Sequence, residues 1–334
     1  MRSSLFALIL LFSALHSAHA QTQPGSERYL AAEKIANVRV VGVGSGTERS
    51  YVLIPEMAEM RPLPVTIFLH GWLGMSPRNF GALIDHVARR GSIVIYPVYQ
   101  DGDRTPPQQV TGLAAIGIAN ALAYLERTHP GLADTSKTLY SGFSMGATIA
   151  LNFAAQPERY AVPLPSAVVA IAPGDARHIA HGPLAQSIVG PLEKIPSNLP
   201  VAILSGLEDT GIGVSTARQI APRLCHILED RRVLMFFPAG GSDEKPVRSG
   251  HGSPGAPDSR YDFRSAQSVD VLMPRRGFYE VSSSTNYLDF YGYWRVVTGV
   301  FDWVAMGRYP TEVFSDVVSQ TAMGLDGDGR PNPP

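Results

Sequence analysis

Cysteine is nearly missing from this chain: Cys225 is the only one among 334 residues. A single thiol can close no intramolecular disulfide and build no thiolate metal site. It stands in RLCHIL, a segment read as helical, where a buried, apolar thiol is expected. A surplus of charge is missing too. The 28 basic residues face 29 acidic ones, for a net charge of -1, which leaves no electrostatic footprint for nucleic acid or an anionic membrane surface. Beyond the first twenty residues no apolar run reaches membrane-spanning length, so stable insertion into a bilayer is not expected. No internal repeat of fixed period is present. What remains is 45% hydrophobic and 17% charged, a composition that packs into a globular core.

The N-terminus is a separate object. Arg2 gives a short positive segment, Leu5 to Leu15 an apolar one, and Ala18-His19-Ala20 a small-x-small ending. Together these read as a secretory signal peptide, residues 1–20, cut after Ala20, and the mature protein is expected to be secreted or periplasmic. No cysteine follows the apolar run, so no lipid anchor is expected there. Residues 21–36 read as an N-terminal extension, 37–305 as one folded domain and 306–334 as a C-terminal tail.

Within the domain, β-rich runs alternate with helical ones. NVRVVGV (37–43) and RSYVLI (49–54) are close enough to be antiparallel neighbours. VTIFL (65–69), SIVIYPV (92–98), TLYSGF (138–143), AVVAIA (167–172), VAILSG (201–206) and RVLMFF (232–237) follow, rich in Val, Ile and Leu without alternation, as in strands buried on both faces. A helix is predicted to start at Ser76-Pro77, with the Ser as cap and the Pro at the first helical position. Further helices are predicted over 110–127, after Ser144, over 215–229 and over 289–305. Such alternation implies right-handed crossovers and a mostly parallel sheet with helices on both faces. Residues 174–199 and 238–288 read as two insertions, the second with room for an extra short strand pair. Asp326 and Asp328 in DGDGRPNPP resemble the opening of a calcium loop, but the other ligand positions are missing, and a solvated tail is expected.

The strongest chemical signal is Gly142-Phe143-Ser144-Met145-Gly146, a G-x-S-x-G between a β-like run and a helix-like run. A sharp strand-to-helix turn lifts the Ser144 hydroxyl over the sheet edge and aims the first helix amides at the same spot, and side chains at the two glycines would collide with strand and helix. A serine hydroxyl needs a base, and the base needs an acid to hold its tautomer. In a protein built on this elbow the chain order is Ser, acid, His. Gly206-Leu207-Glu208-Asp209 follows the strand VAILSG and offers Asp209 as the acid, with Glu208 beside it and Asp175 farther off as alternatives. For the base, His251 lies on the Gly-rich loop SGHG after the last strand. His16 and His19 leave with the signal peptide, His86 and His226 fall in predicted helices, His129 ends one, and His178 and His181 precede the acid. Gly250 and Gly252 are expected to let that loop approach the serine closely. The oxyanion donors are expected from the backbone N–H of Met145 and of Trp72 in His70-Gly71-Trp72-Leu73-Gly74, with His70 bracing that loop and the Trp72 ring walling the substrate pocket.

The set HGW, GFSMG, GLED and a later loop His resembles the α/β-hydrolase superfamily, and within it the dienelactone-hydrolase, cutinase-like and platelet-activating-factor-acetylhydrolase-like branches. The resemblance spans about 37–305. It implies the α/β-hydrolase fold, with about eight mostly parallel strands in one domain, Ser144, Asp209 and His251 at the carboxyl rim, and no metal or organic cofactor. It also implies hydrolysis of a small-molecule or polymeric ester. The same residues would serve an amidase or peptidase, or an acyltransferase. A non-catalytic exported binding protein on this fold is the reading of another class, and the presence of all three residues opposes it. One departure stands out: some forty residues separate His251 from the run YGYWRVVTGVFDWV, where many relatives have the last helix almost directly after the His loop.

Overall fold

The computed structural model describes residues 35–324, except 58, 60, 180–184, 243–244, 265, 267, 275–284, 317–319 and 321–322. The signal peptide, its cleavage point, His16, His19, His181 and the stretch DGDGRPNPP lie outside the described residues. Nine strands form one sheet in the order β11-β1-β2-β4-β3-β5-β6-β7-β8. These are β1 (Asn37–Val43), β2 (Arg49–Pro55), β3 (Leu63–Leu69), β4 (Ile93–Val98), β5 (Ala133–Phe143), β6 (Ala167–Ile171), β7 (Val201–Gly206), β8 (Arg232–Phe237) and β11 (Asp270–Pro274). From β4 to β8 every pairing is parallel, and β2 is antiparallel to both β1 and β4. A small antiparallel pair, β9 (Gly240–Ser242) and β10 (Lys245–Val247), follows β8.

The continuous apolar runs are buried on both faces, and successive residues serve two cores. Phe68, Val94, Val169, Ile171 and Leu204 face one layer with α1 (Gly81–Arg89) and α5 (Arg295–Met306). Ile67, Leu69, Ile95, Ala170 and Ile203 face the other, with α2 (Val110–Thr128), α3 (Met145–Ala155) and α4 (Gly213–Ile220). That is the period-two geometry of a strand applied to a sheet covered twice. The first layer also takes in Val313 and Phe314, from the segment assigned by sequence to the tail.

The forty residues after His251 have a definite path. Ala256 and Asp258 donate backbone N–H groups to Asn79 and Arg78, laying the chain across the start of α1. There Arg260 and Tyr261 join Asp85 and Arg89 in a buried polar cluster. Arg89, fully buried, donates to both Asp85 oxygens at 2.8 and 3.0 Å and to the carbonyls of Met273 and Pro274 at 3.1 and 3.0 Å. Burial pushes the Asp85 carboxyl up, but Arg89, Arg260 and Tyr261 outweigh it and hold it below its usual value. The chain then runs antiparallel to β1 as β11, a ninth strand beyond the eight expected.

Two expectations fail for one reason. The helix expected over 215–229 ends at Ile220, and Cys225, expected to be buried within it, is exposed. Pro222 has no N–H to donate and its ring collides with the carbonyl four residues back, so the chain tightens into a 3-10 turn over Ala221–Leu224 and carries Cys225 outward.

Ahead of α5, Leu288–Trp294 is π-helical and holds Asp289 fully buried. Its Oδ2 accepts from the Asn286 N–H at 2.9 Å, and its Oδ1 has no partner among the described residues. Burial, opposed by that one hydrogen bond, pushes the carboxyl up to about 8. The folded protein therefore keeps a proton that the unfolded chain sheds near pH 4. The contribution of Asp289 to stability is fully present below that range and is lost as pH rises toward 8. Asp289→Asn removes this titration, so the fall in Tm between pH 5 and pH 8.5 should be smaller in the variant. Equal pH profiles for the two proteins would refute the buried proton.

Candidate active site

β5 ends in the G-x-S-x-G turn, and Ser144 has φ 54 and ψ -121, a conformation that non-glycine residues rarely adopt. The Ser144 N–H donates to the Ile171 carbonyl at 2.9 Å, tying the turn to β6. The flanking glycines are spatially required: a Cβ on Gly146 would lie 2.1 Å from the Leu69 oxygen, and one on Gly142 would lie 2.4 Å from the Gly146 oxygen.

Three loops at the carboxyl ends of β5, β7 and β8 bring the sequence-predicted residues together. His251 Nδ1 lies 2.6 Å from Asp209 Oδ2, and its Nε2 lies 3.0 Å from Ser144 Oγ. Asp209 and Ser144 are buried, and His251 is partly open to solvent. An ionised carboxylate only accepts, so Nδ1 carries the hydrogen. Nε2 is then a lone-pair acceptor for the Ser144 hydroxyl. The imidazole ring also packs against Phe143 at 4.9 Å between centroids.

Glu208 takes a different part. Its side chain accepts from the Ser249 N–H and from Arg248, both at 2.9 Å, and its own N–H donates to Ser249 Oγ at 3.2 Å. These bonds, the Ser249 N–H first, hold its carboxyl below the usual value. Glu208 thus braces the His251 loop from outside, a role the sequence did not reveal. Asp175 caps a short 3-10 turn, accepting from Ala176 N–H, Ile188 N–H and Arg177. Burial raises its pKa, but Ile188, Ser187 and Arg177 together lower it by more, and the carboxyl is spent on its own loop.

The close approach of the His loop does not come from Gly250 or Gly252. A Cβ at either would meet nothing within 4 Å, and neither has a positive φ. The tight contact is at the end of β7, where a Cβ on Gly206 would fall 1.8 Å from the Ser249 oxygen. Gly206→Ala must push the loop that carries His251. A displacement near 1 Å can cost about 10²-fold in rate, so kcat/KM should fall by at least that much, against less than about threefold for Gly250→Ala. Similar losses in the two variants would show that Gly206 does not set the loop.

On the other side of Ser144 stands the loop after β3. His70 is fully buried, with its ring stacked 4.0 Å from that of Tyr99. Its Nδ1–H donates to the Gly71 oxygen at 2.6 Å. Burial, against that one bond, lowers its pKa to about 4, so the ring is neutral and braces the loop as expected. A Cβ on Gly71 would strike Phe143 at 2.8 Å and lie 3.1 Å from the Ser144 Cβ. Leu73 is held at φ 63, and its N–H donates to Gln100 Oε1 at 2.9 Å, which fixes the peptide after Trp72. The described residues give neither the Trp72 N–H nor the Met145 N–H an acceptor. Met145 is the first residue of α3, whose first-turn amides lack intrahelical partners. Tyr287 and Tyr291 are buried in the core. Among the described residues no cluster of His, Cys, Asp or Glu is arranged to hold a metal ion, and no helix is long and apolar enough to cross a membrane.

The strand order, the strained serine turn and the rim that gathers three loops define the α/β-hydrolase fold. No family model matches the chain, and no curated protein matches it in sequence. Solved structures match it in structure. An acylaminoacyl peptidase in complex with a chloromethyl ketone is 17% identical over 60% of this chain, with a TM-score of 0.45. This chain spans only 36% of that peptidase's length. Esterase 2 of Thermogutta terrifontis, phosphorylated by paraoxon, is 17% identical over 67% of this chain and 88% of its own, with a TM-score of 0.47. Esterase B of Lactobacillus rhamnosis is 14% identical over 70% and 83%, with a TM-score of 0.45.

Proposed function

We propose that the protein is an exported serine hydrolase that cleaves carboxylic esters through an acyl-enzyme. The observation that carries this reading is one imidazole hydrogen-bonded at 3.0 Å to Ser144 Oγ and at 2.6 Å to the Asp209 carboxylate. In the first step His251 Nε2 takes the hydroxyl proton as Ser144 Oγ attacks the ester carbonyl. Asp209 stays ionised, keeps the ring in its tautomer and stabilises the imidazolium. The tetrahedral oxygen is received by the Trp72 and Met145 N–H groups, where loss of one donor typically costs about 3 kcal/mol of transition-state stabilisation. Collapse expels the alcohol, which takes its proton from His251. Water, deprotonated by the same nitrogen, then releases the acid. No step requires a metal or organic cofactor. In this reading residues 1–20 are removed on export, and the protein is secreted or periplasmic.

The test is direct. The mature protein should hydrolyse 4-nitrophenyl acetate and butyrate and should be labelled by a fluorophosphonate at Ser144. Absence of both turnover and labelling would end the reading. A matched 4-nitroanilide, added in parallel, separates ester from amide hydrolysis.

A further inference from the structure

Beside Ser144 the fold leaves a cavity of about 470 Å³, within the range of small-molecule sites. Its walls include Trp72, Asn79, Phe80, Phe143, Gly252 and Pro257. Phe143 directly precedes Ser144, Gly252 directly follows His251, and Gly71 and Trp72 belong to the loop that faces the serine, so the cavity adjoins the site, while Ser144 and His251 themselves lie just off its wall. Among the described residues no charged side chain lines the cavity. The charges nearest in sequence are Arg78, exposed and turned to Asp262 at 3.6 Å, and Asp258, buried and paired with Arg260 at 3.0 Å. The floor is an aromatic file that continues into the core: Phe143 meets Phe80 at 5.2 Å, and Phe80 meets Phe68 at 5.0 Å. Phe80 is buried, and Phe68 is stacked on Tyr96 at 6.0 Å. The floor is therefore fixed before any ligand arrives, and it offers ring faces and edges at the offset and tilted geometries that aromatic groups favour.

Resting on the serine-hydrolase reading, we infer that the substrate is an ester with one uncharged arm, aryl or branched alkyl, seated on Phe143 and Phe80, and that an arm ending in a carboxylate is rejected. Two physical facts carry this. Among the described wall residues a carboxylate on the arm finds no cationic side chain, and the Trp72 N–H is taken up by the ester oxygen, so the charge stays unpaired, which is penalised far more than a missing apolar contact. An apolar ring of the same shape displaces water from ring faces and meets side chains that do not have to move. Asn79, a polar side chain on the described wall, is exposed and can be changed without disturbing the core.

The test uses two pairs matched in size, so that either arm of the ester can report. Methyl 4-isopropylbenzoate against methyl 4-carboxybenzoate places the charge on the acyl side. 4-Isopropylphenyl acetate against 4-carboxyphenyl acetate places it on the alcohol side. In at least one pair the neutral ester should have a kcat/KM about 100-fold or more above that of its charged partner. Asn79→Arg, which introduces a cation on the wall, should shrink that same ratio by about tenfold, chiefly by raising turnover of the carboxylate ester. Phenyl acetate serves as the baseline. If it is hydrolysed while both pairs stay within about threefold, or while Asn79→Arg leaves the ratio unmoved, the substrate inference falls and the serine-hydrolase reading stands. If no ester is hydrolysed and Ser144 is not labelled, both fall.

Discussion

Ser144→Ala is expected to lower kcat for ester hydrolysis by about 10⁶-fold, the loss typical of removing a nucleophile from an intact triad. Fluorophosphonate labelling should vanish with it. The protein should stay folded, because the change deletes one oxygen and leaves the backbone demand unaltered. Alanine at φ 54 is strained much as serine is. A Tm within a few degrees of the parent, together with lost turnover, is the expected pair of results. Turnover that persists in the variant at more than about a thousandth of the parent rate would mean that another group performs the chemistry.

Asp209→Asn should cost about 10⁴-fold in kcat with little change in KM. The geometry supplies the reason. At 2.6 Å from Nδ1 the carboxylate can only accept, which forces the hydrogen onto Nδ1 and leaves Nε2 free to take the serine proton. An amide can place its NH₂ there instead, and the ring then turns to the tautomer whose Nε2–H points at Ser144 and cannot act as a base. Adding Ser144→Ala should lower the rate no further than Ser144→Ala alone, because the residues act as a unit. Glu208→Gln is the control. Glu208 holds the loop through Ser249 and Arg248, and the amide oxygen can still accept from the Ser249 N–H, so the loss should stay within about tenfold. A larger loss for Glu208→Gln than for Asp209→Asn would exchange the two roles.

These neighbours show where a sequence stops being informative. Both are carboxylates at the end of one strand, and one peptide's rotation decides which points inward. The path after His251 was equally hidden. Asp85 and Arg89 are a helical i,i+4 pair, but nothing in the local pattern of Arg260 and Tyr261 says that they join it, because contacts across more than 170 positions leave no periodic trace. Gly250 and Gly252 are uninformative for a related reason: glycine beside a histidine signals freedom, while the close contact belongs to Gly206, more than forty residues earlier in the chain.

The sequence by itself determined what local sterics and hydropathy can encode: strands apolar on both faces and a glycine-flanked serine turn. Those features depend on a few adjacent residues and survive in any reading of the chain. Only the tertiary structure decided which carboxylate faces the imidazole, how the long segment after it returns to the far edge of the sheet, and that the cavity beside the serine carries rings but no charge. Each of these depends on side chains from distant segments sharing the same few ångströms, and that proximity arises from packing rather than from any pattern along the chain.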